Sequence, residues 1–112
     1  GVIEAAKDAN KFAIGVDNDQ SRLAPNNVLT SALKLVCNAV DIISTDFING
    51  KEIGGQTLTY GLKENCVGIP ENNPNMDPDV YNDAMELEKK VINDEVIPPY
   101  NKQSFEKFKL SL

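Results

Sequence analysis

Asp17 and Asp19 stand two residues apart where the apolar run Ala13-Ile-Gly-Val16 stops, and Lys34 follows the stretch Val28-Leu-Thr-Ser-Ala-Leu33. A strand that ends in carboxylates delivers them to the carboxyl edge of its sheet. In open α/β folds that edge is where small ligands bind. An aspartate there can accept two hydrogen bonds from vicinal hydroxyls, charge-assisted bonds worth about 1.5–3 kcal/mol each. The chemistry would be recognition of a sugar or polyol by Asp17, with Lys34 donating across the cleft. The same residues also allow a structural reading. Asp17 and Asp19 then cap the loop from Ser21 to Asn27 or pair with Arg22, and Lys34 is a solvated lysine in the first turn of a helix.

Other chemistries find less support. Ser21, Ser31 and Ser44 have no histidine anywhere in the chain to activate them, and Ser31 with Lys34 is a generic spacing. Asp17 and Asp19 lack an evident third metal ligand. Cys37 and Cys66 form no zinc spacing and read as two small buried thiols. Tyr60, Gly61 and Lys63 read as a strand end and turn. No catalysis and no cofactor is expected.

These residues need elements to place them. Val2, Ile3, Ala5, Ala6 and Ala9 form an apolar stripe on a first helix, which Asn10 can stop in the left-handed conformation. Phe12–Val16 is a short buried strand, with Gly15 allowing close backbone approach; helix, tight turn and strand make half of a βαβ unit. Val28–Leu33 reads as a second strand rather than the start of a helix. Val28, Thr30 and Ala32 fall on one face, with Leu29, Ser31 and Leu33 on the other. From Leu35, the residues Val36, Ala39, Val40, Ile43 and Phe47 keep helical spacing, and Asn49-Gly50 ends that helix. Lys51–Gln56 is a turn, Thr57–Tyr60 alternates as a half-exposed strand, and Cys66–Ile69 is a further short apolar piece. Asp77-Pro78 starts a helix with Val80, Tyr81, Ala84, Leu87, Val91 and Ile92 on one face. Ser104–Leu112 adds an amphipathic turn or two around Phe105 and Phe108.

The chain has 112 residues, with 17 acidic against 11 basic side chains and a net charge of −6. That balance repels polyanions at long range and argues against nucleic acid as a partner. No apolar run approaches the length needed to span a bilayer. The opening Gly1-Val-Ile-Glu-Ala-Ala-Lys-Asp-Ala9 reads as a helix entered partway, so a piece of a longer protein is expected.

The stretches Gly1-Val-Ile-Glu-Ala-Ala-Lys7, Ala13-Ile-Gly-Val-Asp-Asn-Asp-Gln-Ser21 and Leu23-Ala-Pro-Asn-Asn-Val-Leu-Thr-Ser-Ala-Leu-Lys34 resemble a known family. It is the basic membrane protein family of substrate-binding lipoproteins, nucleoside-binding components of ABC importers. The likeness continues through Gly50-Lys51, Gly54-Gly-Gln-Thr-Leu-Thr-Tyr-Gly-Leu62, Val67-Gly68 and Lys89-Lys-Val-Ile92, and corresponds to about the last third of a family member. The resemblance implies a type I periplasmic-binding-protein fold, an α/β architecture of two Rossmann-like lobes that trap ligand at their hinge. By analogy, residues 1 to about 30 belong to the second lobe. Residues 34 to about 56 contain a first-lobe helix, and the remainder forms strands and helices near the hinge plus a carboxyl-terminal helix. In the family, the aspartate matching Asp17 bonds the ribose hydroxyls and the lysine matching Lys34 also reaches the ligand, while Asp19 and Gln20 match hinge and loop positions.

The function implied is capture of a nucleoside, with a purine the expected class, and its delivery to an ABC permease. The alternative is a cytoplasmic ligand-sensing regulator on the same fold. The resemblance further implies an extracytoplasmic, membrane-anchored lipoprotein whose lipidated cysteine lies upstream, since Cys37 and Cys66 both sit mid-domain. The base-stacking aromatics of the family also lie upstream. Half a site is therefore expected here, too little to bind nucleoside alone, and an open strand edge that invites self-association.

Overall fold

The computed structural model describes residues 1–110, which form two compact units, Gly1–Pro78 and the segment from Asp79 onward. The first unit is a small α/β layer. Helix α1 (Val2–Asp8) precedes strand β1 (Ala13–Asp17), a 3-10 turn (Ser21–Leu23) leads into β2 (Val28–Lys34), then come helix α2 (Val36–Ile48) and a two-residue strand β3 (Val67–Gly68). Strand order is β1-β2-β3. β1 and β2 run parallel, whereas β3 returns antiparallel beside the end of β2, with Leu33 opposite Gly68 and Lys34 opposite Val67.

Two of the expected stops are realised in full. Asn10 turns left-handed after α1 (φ 51°), its N–H bonding to Lys7 O while Lys11 N–H reaches Ala6 O. Gly50 does the same after α2 (φ 78°), with bonds from Gly50 N–H to Phe47 O and from Lys51 N–H to Asp46 O. This pair of bonds satisfies carbonyls that a helix end otherwise leaves open.

The pairing of β1 with β2 steps from Ala13–Val28 to Ile14–Thr30, so β2 carries one extra residue, Leu29. That bulge overturns the simple alternation expected for Val28–Leu33. It turns the strand over once, so Val28 and Ser31 share the face on which Ala13 and Gly15 lie, and Val28, Thr30 and Ser31 are all buried. The buried set is small in volume: Ala13, Gly15, Ala24, Val28, Thr30, Ser31 and Cys66. The opposite face of β1 stays open, with Ile14 60% and Val16 56% exposed.

Two further expectations are corrected. Thr57–Tyr60 forms no strand; it is irregular chain between the Gly54-Gly55 turn and a tight turn at Gly61–Cys66, closed by Asn65 in the left-handed conformation (φ 53°). No neighbouring strand ladders with it, and alternation without a partner cannot hold a strand. Cys66 is buried but Cys37 is exposed, and both thiols are free. Cys37 lies in the first turn of α2, a helix with no buried residue, on which the stripe residues Val36, Val40 and Phe47 remain exposed.

Helix α3 (Pro78–Ile92) starts at the expected proline, and the second unit holds the rest of it together with α4 (Lys102–Lys109). Asp94, at φ 61°, ends the chain segment after α3 with the same bond pair seen at Asn10, here from Asp94 N–H to Val91 O and from Glu95 N–H to Lys90 O. Asn101 and Ser104 cap α4 reciprocally, each side chain accepting from the other's backbone N–H. α4 thus begins two residues before the expected amphipathic tail; Ser111 and Leu112 of that tail lie outside the described residues.

Gly15 is the tightest point of the sheet. A Cβ placed there would lie 2.4 Å from Ser31 Oγ and 2.9 Å from Gln20 Cβ. Gly15→Ala is expected to lower unfolding free energy by about 1–3 kcal/mol, the usual cost of forcing an extra carbon into filled space; urea titration followed by circular dichroism would measure it.

Candidate functional site at the paired strand ends

Parallel pairing puts the carboxyl ends of β1 and β2 side by side, with Asp17 opposite Leu33. Lys34 is the next residue, and its Nζ lies 2.8 Å from Asp17 Oδ1. The structure therefore brings two of the three sequence-derived site residues into one contact. Asp17 pairs with Lys34 rather than Arg22, and Lys34 ends a strand instead of opening a helix. Both side chains are more than half exposed.

The hydrogen bond to Asp17, together with the carboxylate's negative charge, holds the Lys34 ammonium above the ordinary lysine range, against a small opposing effect of burial. A raised lysine contributes its pairing fully below the unfolded-state value and loses it as pH climbs through the higher folded-state value. The pair is therefore intact at neutral pH and is lost in alkaline solution as the Lys34 ammonium gives up its proton.

Asp19 does not join the pair. Its Oδ1 accepts from Ser21 N–H at 2.9 Å, closing the loop on itself. The structure gives Asp19 the local capping contact foreseen in the structural reading.

The backbone at Asp17 is unusual. Its φ is 73°, and Asn18 N–H bonds to Val16 O at 3.0 Å, which makes Asp17 the centre of a three-residue γ-turn of the rarer, strained hand. Asp is among the residues that tolerate positive φ best. Gln20, residue four of this loop counted from Val16, folds back against it. Gln20 N–H donates to Ser31 Oγ at 3.0 Å, and Gln20 Oε1 accepts from Val16 N–H at 3.2 Å. Ser31 is fully buried. Ser31 and Gln20 were readable only as a generic serine and a loop residue; the clue in sequence is Gly15, whose missing side chain leaves them room.

Two concavities lie away from the pair. A cleft of about 540 Å³ runs along α1 and the open face of β1, lined by Val2, Ile3, Ile14, Val16, Gln20 and Leu23. Within the second unit, a recess of about 720 Å³ is lined by Leu87, Val96, Ile97, Tyr100 and Phe108 among others. Neither contains Asp17 or Lys34, which stand on an open edge.

Residues 1–102 match the family model described as "ABC transporter substrate-binding protein PnrA-like". This chain belongs to that Bmp family. It is 46% identical to basic membrane protein A of Borreliella afzelii, over 96% of the chain and 34% of that protein. It is 45% identical to basic membrane protein A2 of Borrelia garinii subsp. bavariensis, over 96% of the chain and 33% of that protein. The chain thus spans about a third of the length of these relatives. Among solved structures, a transcriptional activator of the comK gene from Bacillus halodurans superposes with a TM-score of 0.75 at 28% identity, covering 88% of this chain and 34% of that one. A solute-binding protein of an ABC transporter system from Aeropyrum pernix K1 superposes with a TM-score of 0.60 at 23% identity, over 96% of this chain and 39% of that one. These likenesses support the expected binding-protein fold, of which this chain is a part.

Lys34 offers a direct reading of the pair. Its side-chain ¹³Cε titration is expected to have a midpoint above that of a free lysine. Asp17→Asn should bring it down while leaving Lys51, raised in the same way by Asp46, unmoved.

Proposed function

We propose that this segment supplies one half of a nucleoside site in the extracytoplasmic binding component of an ABC importer. The observation that carries the reading is the Asp17–Lys34 contact, 2.8 Å, at the adjacent carboxyl ends of two parallel strands. An ion pair of this kind presents a carboxylate acceptor beside an ammonium donor. A vicinal diol can meet both at once, each hydroxyl donating to Asp17 or accepting from Lys34. The ribose hydroxyls of a nucleoside, a purine nucleoside in this reading, provide that pattern. Asp19 supports the loop and makes no contact with ligand in this reading.

Binding involves no bond making or breaking. The remaining contacts, including those that select the base, come from the other lobe. In this arrangement residues 1 to about 30 sit in the second lobe and the helix after Lys34 in the first, so the chain crosses the hinge just past the ion pair. The partners are the nucleoside and a membrane permease, and the intact protein is held at the membrane by a lipid anchor upstream.

A ligand-sensing regulator is the second reading, favoured by the match to the comK activator structure. Protease accessibility of the intact protein on whole cells separates the two: digestion from outside is expected for the receptor, protection for the regulator.

Asp17→Ala in a full-length receptor containing this segment is expected to weaken adenosine binding by on the order of 10- to 100-fold, the worth of one charge-assisted hydrogen bond. Isothermal titration calorimetry measures this, and unchanged affinity would remove Asp17 from the site. The 112-residue chain by itself is expected to give no saturable heat with adenosine at micromolar concentrations. With Ile14 and Val16 open on an edge strand, the isolated chain is expected to self-associate. A single monomeric species in sedimentation velocity at all concentrations would contradict this.

A further inference from the structure

We infer that Gln20 is a positioning residue for the proposed ligand contact: through Ser31 and the Val16 amide it holds Asp17 in its left-handed turn and so sets where the carboxylate meets Lys34. This rests on the reading of Asp17 as the ligand acceptor.

Four observations converge. Asp17 occupies a backbone conformation (φ 73°) that is strained for a residue other than glycine and persists only where its surroundings impose it. The hydrogen bond across the turn, from Asn18 N–H to Val16 O, fixes one side of it. The other side is fixed by Gln20, whose Oε1 takes the Val16 N–H on the strand edge that faces away from β2. Gln20 is itself anchored, since its N–H donates to Ser31 Oγ, and Ser31 has no solvent exposure.

The direction of control follows from burial. Ser31 lies in the rigid middle of β2, opposite Gly15, while Asp17 and Lys34 are exposed. An exposed ion pair has little power to impose a strained turn on its own backbone. A buried serine, gripping the far end of a short loop, can do so. Gly15 completes the device: any side chain there would push Gln20 and Ser31 out of register with each other. Asp19 plays a lesser part, accepting from Ser21 N–H and so stiffening the loop between the turn and the anchor. Preorganising a carboxylate in this way spares the ligand the cost of ordering it.

The test compares Gln20→Met, which keeps length and loses the acceptor, with Gln20→Glu, which keeps an acceptor for the Val16 amide. In this chain, Gln20→Met is expected to lower the Lys34 ¹³Cε midpoint toward that of Asp17→Asn, with Lys51 unmoved. Gln20→Glu should leave the Lys34 midpoint at or above its original position. Ser31→Ala, which removes only the anchor's oxygen, should reproduce the fall. A folded Gln20→Met with an unshifted Lys34 overturns the proposal. Loss of the fold in both Gln20→Met and Ser31→Ala would make these residues purely structural and overturn it as well.

In a full-length receptor containing the segment, Gln20→Met should weaken adenosine binding on the order of tenfold, the scale of one lost hydrogen bond, and have no further effect in an Asp17→Ala background. Equal weakening with and without Asp17 would overturn the proposal. If Asp17→Ala itself leaves adenosine affinity unchanged, the ligand role fails while the Lys34 titration still decides whether Gln20 positions Asp17.

Discussion

Two parallel strands share their direction, so their carboxyl ends meet at one edge, and in this chain each strand delivers one charge to that edge. β1 ends at Asp17 and β2 at Lys34. Had the strands paired antiparallel, the two residues would lie at opposite ends of the ladder, about 15–20 Å apart for strands of this length. The contact therefore depends less on the charges than on chain direction. That direction is achieved with an unusually economical link, since the crossover between β1 and β2 contains only a 3-10 turn where a full helix is the common solution.

Small side chains make that pairing possible. The covered face of the sheet is lined by Ala13, Gly15, Val28 and Ser31, and a loop lies directly on it. A core of larger residues would hold the loop away and leave Gln20 without its anchor. The cost is a thin core: few side chains of the first unit are fully covered, and α2 contributes none. The apolar residues that would ordinarily supply burial energy, Ile14, Val16, Val36, Val40 and Phe47, face outward. The exposure is consistent with a chain that spans about a third of the length of its relatives.

Much of this was legible in the residues. Periodicity located α1, β1, β2, α2 and α3, and the left-handed stops at Asn10 and Gly50 followed from local chemistry alone. Asp17 and Lys34 stood out as charges closing two apolar runs. The bulge at Leu29 was not visible, because an extra residue in one strand is defined only against its partner. For the same reason Thr57–Tyr60 looked like a strand, and only the missing neighbour excluded it. Asp94 as a helix stop and Gln20 as a brace were hidden too; each acts through backbone geometry that residue type does not announce. Family likeness reached Gln20 but could say only that it belonged to the loop.

The gap at Gly15 has one more consequence. Ile14 and Val16, its neighbours in β1, are both β-branched and would fit any ordinary slot in a sheet. Neither can enter the slot opposite Ser31, where even a first side-chain carbon would collide. A slip of β1 by one residue in either direction would press one of them into that space, besides turning its faces inside out. The missing methyl thus works as a key that admits one alignment. It sets Asp17 opposite Leu33 and so brings the carboxylate within reach of Lys34, whatever the two charges contribute themselves.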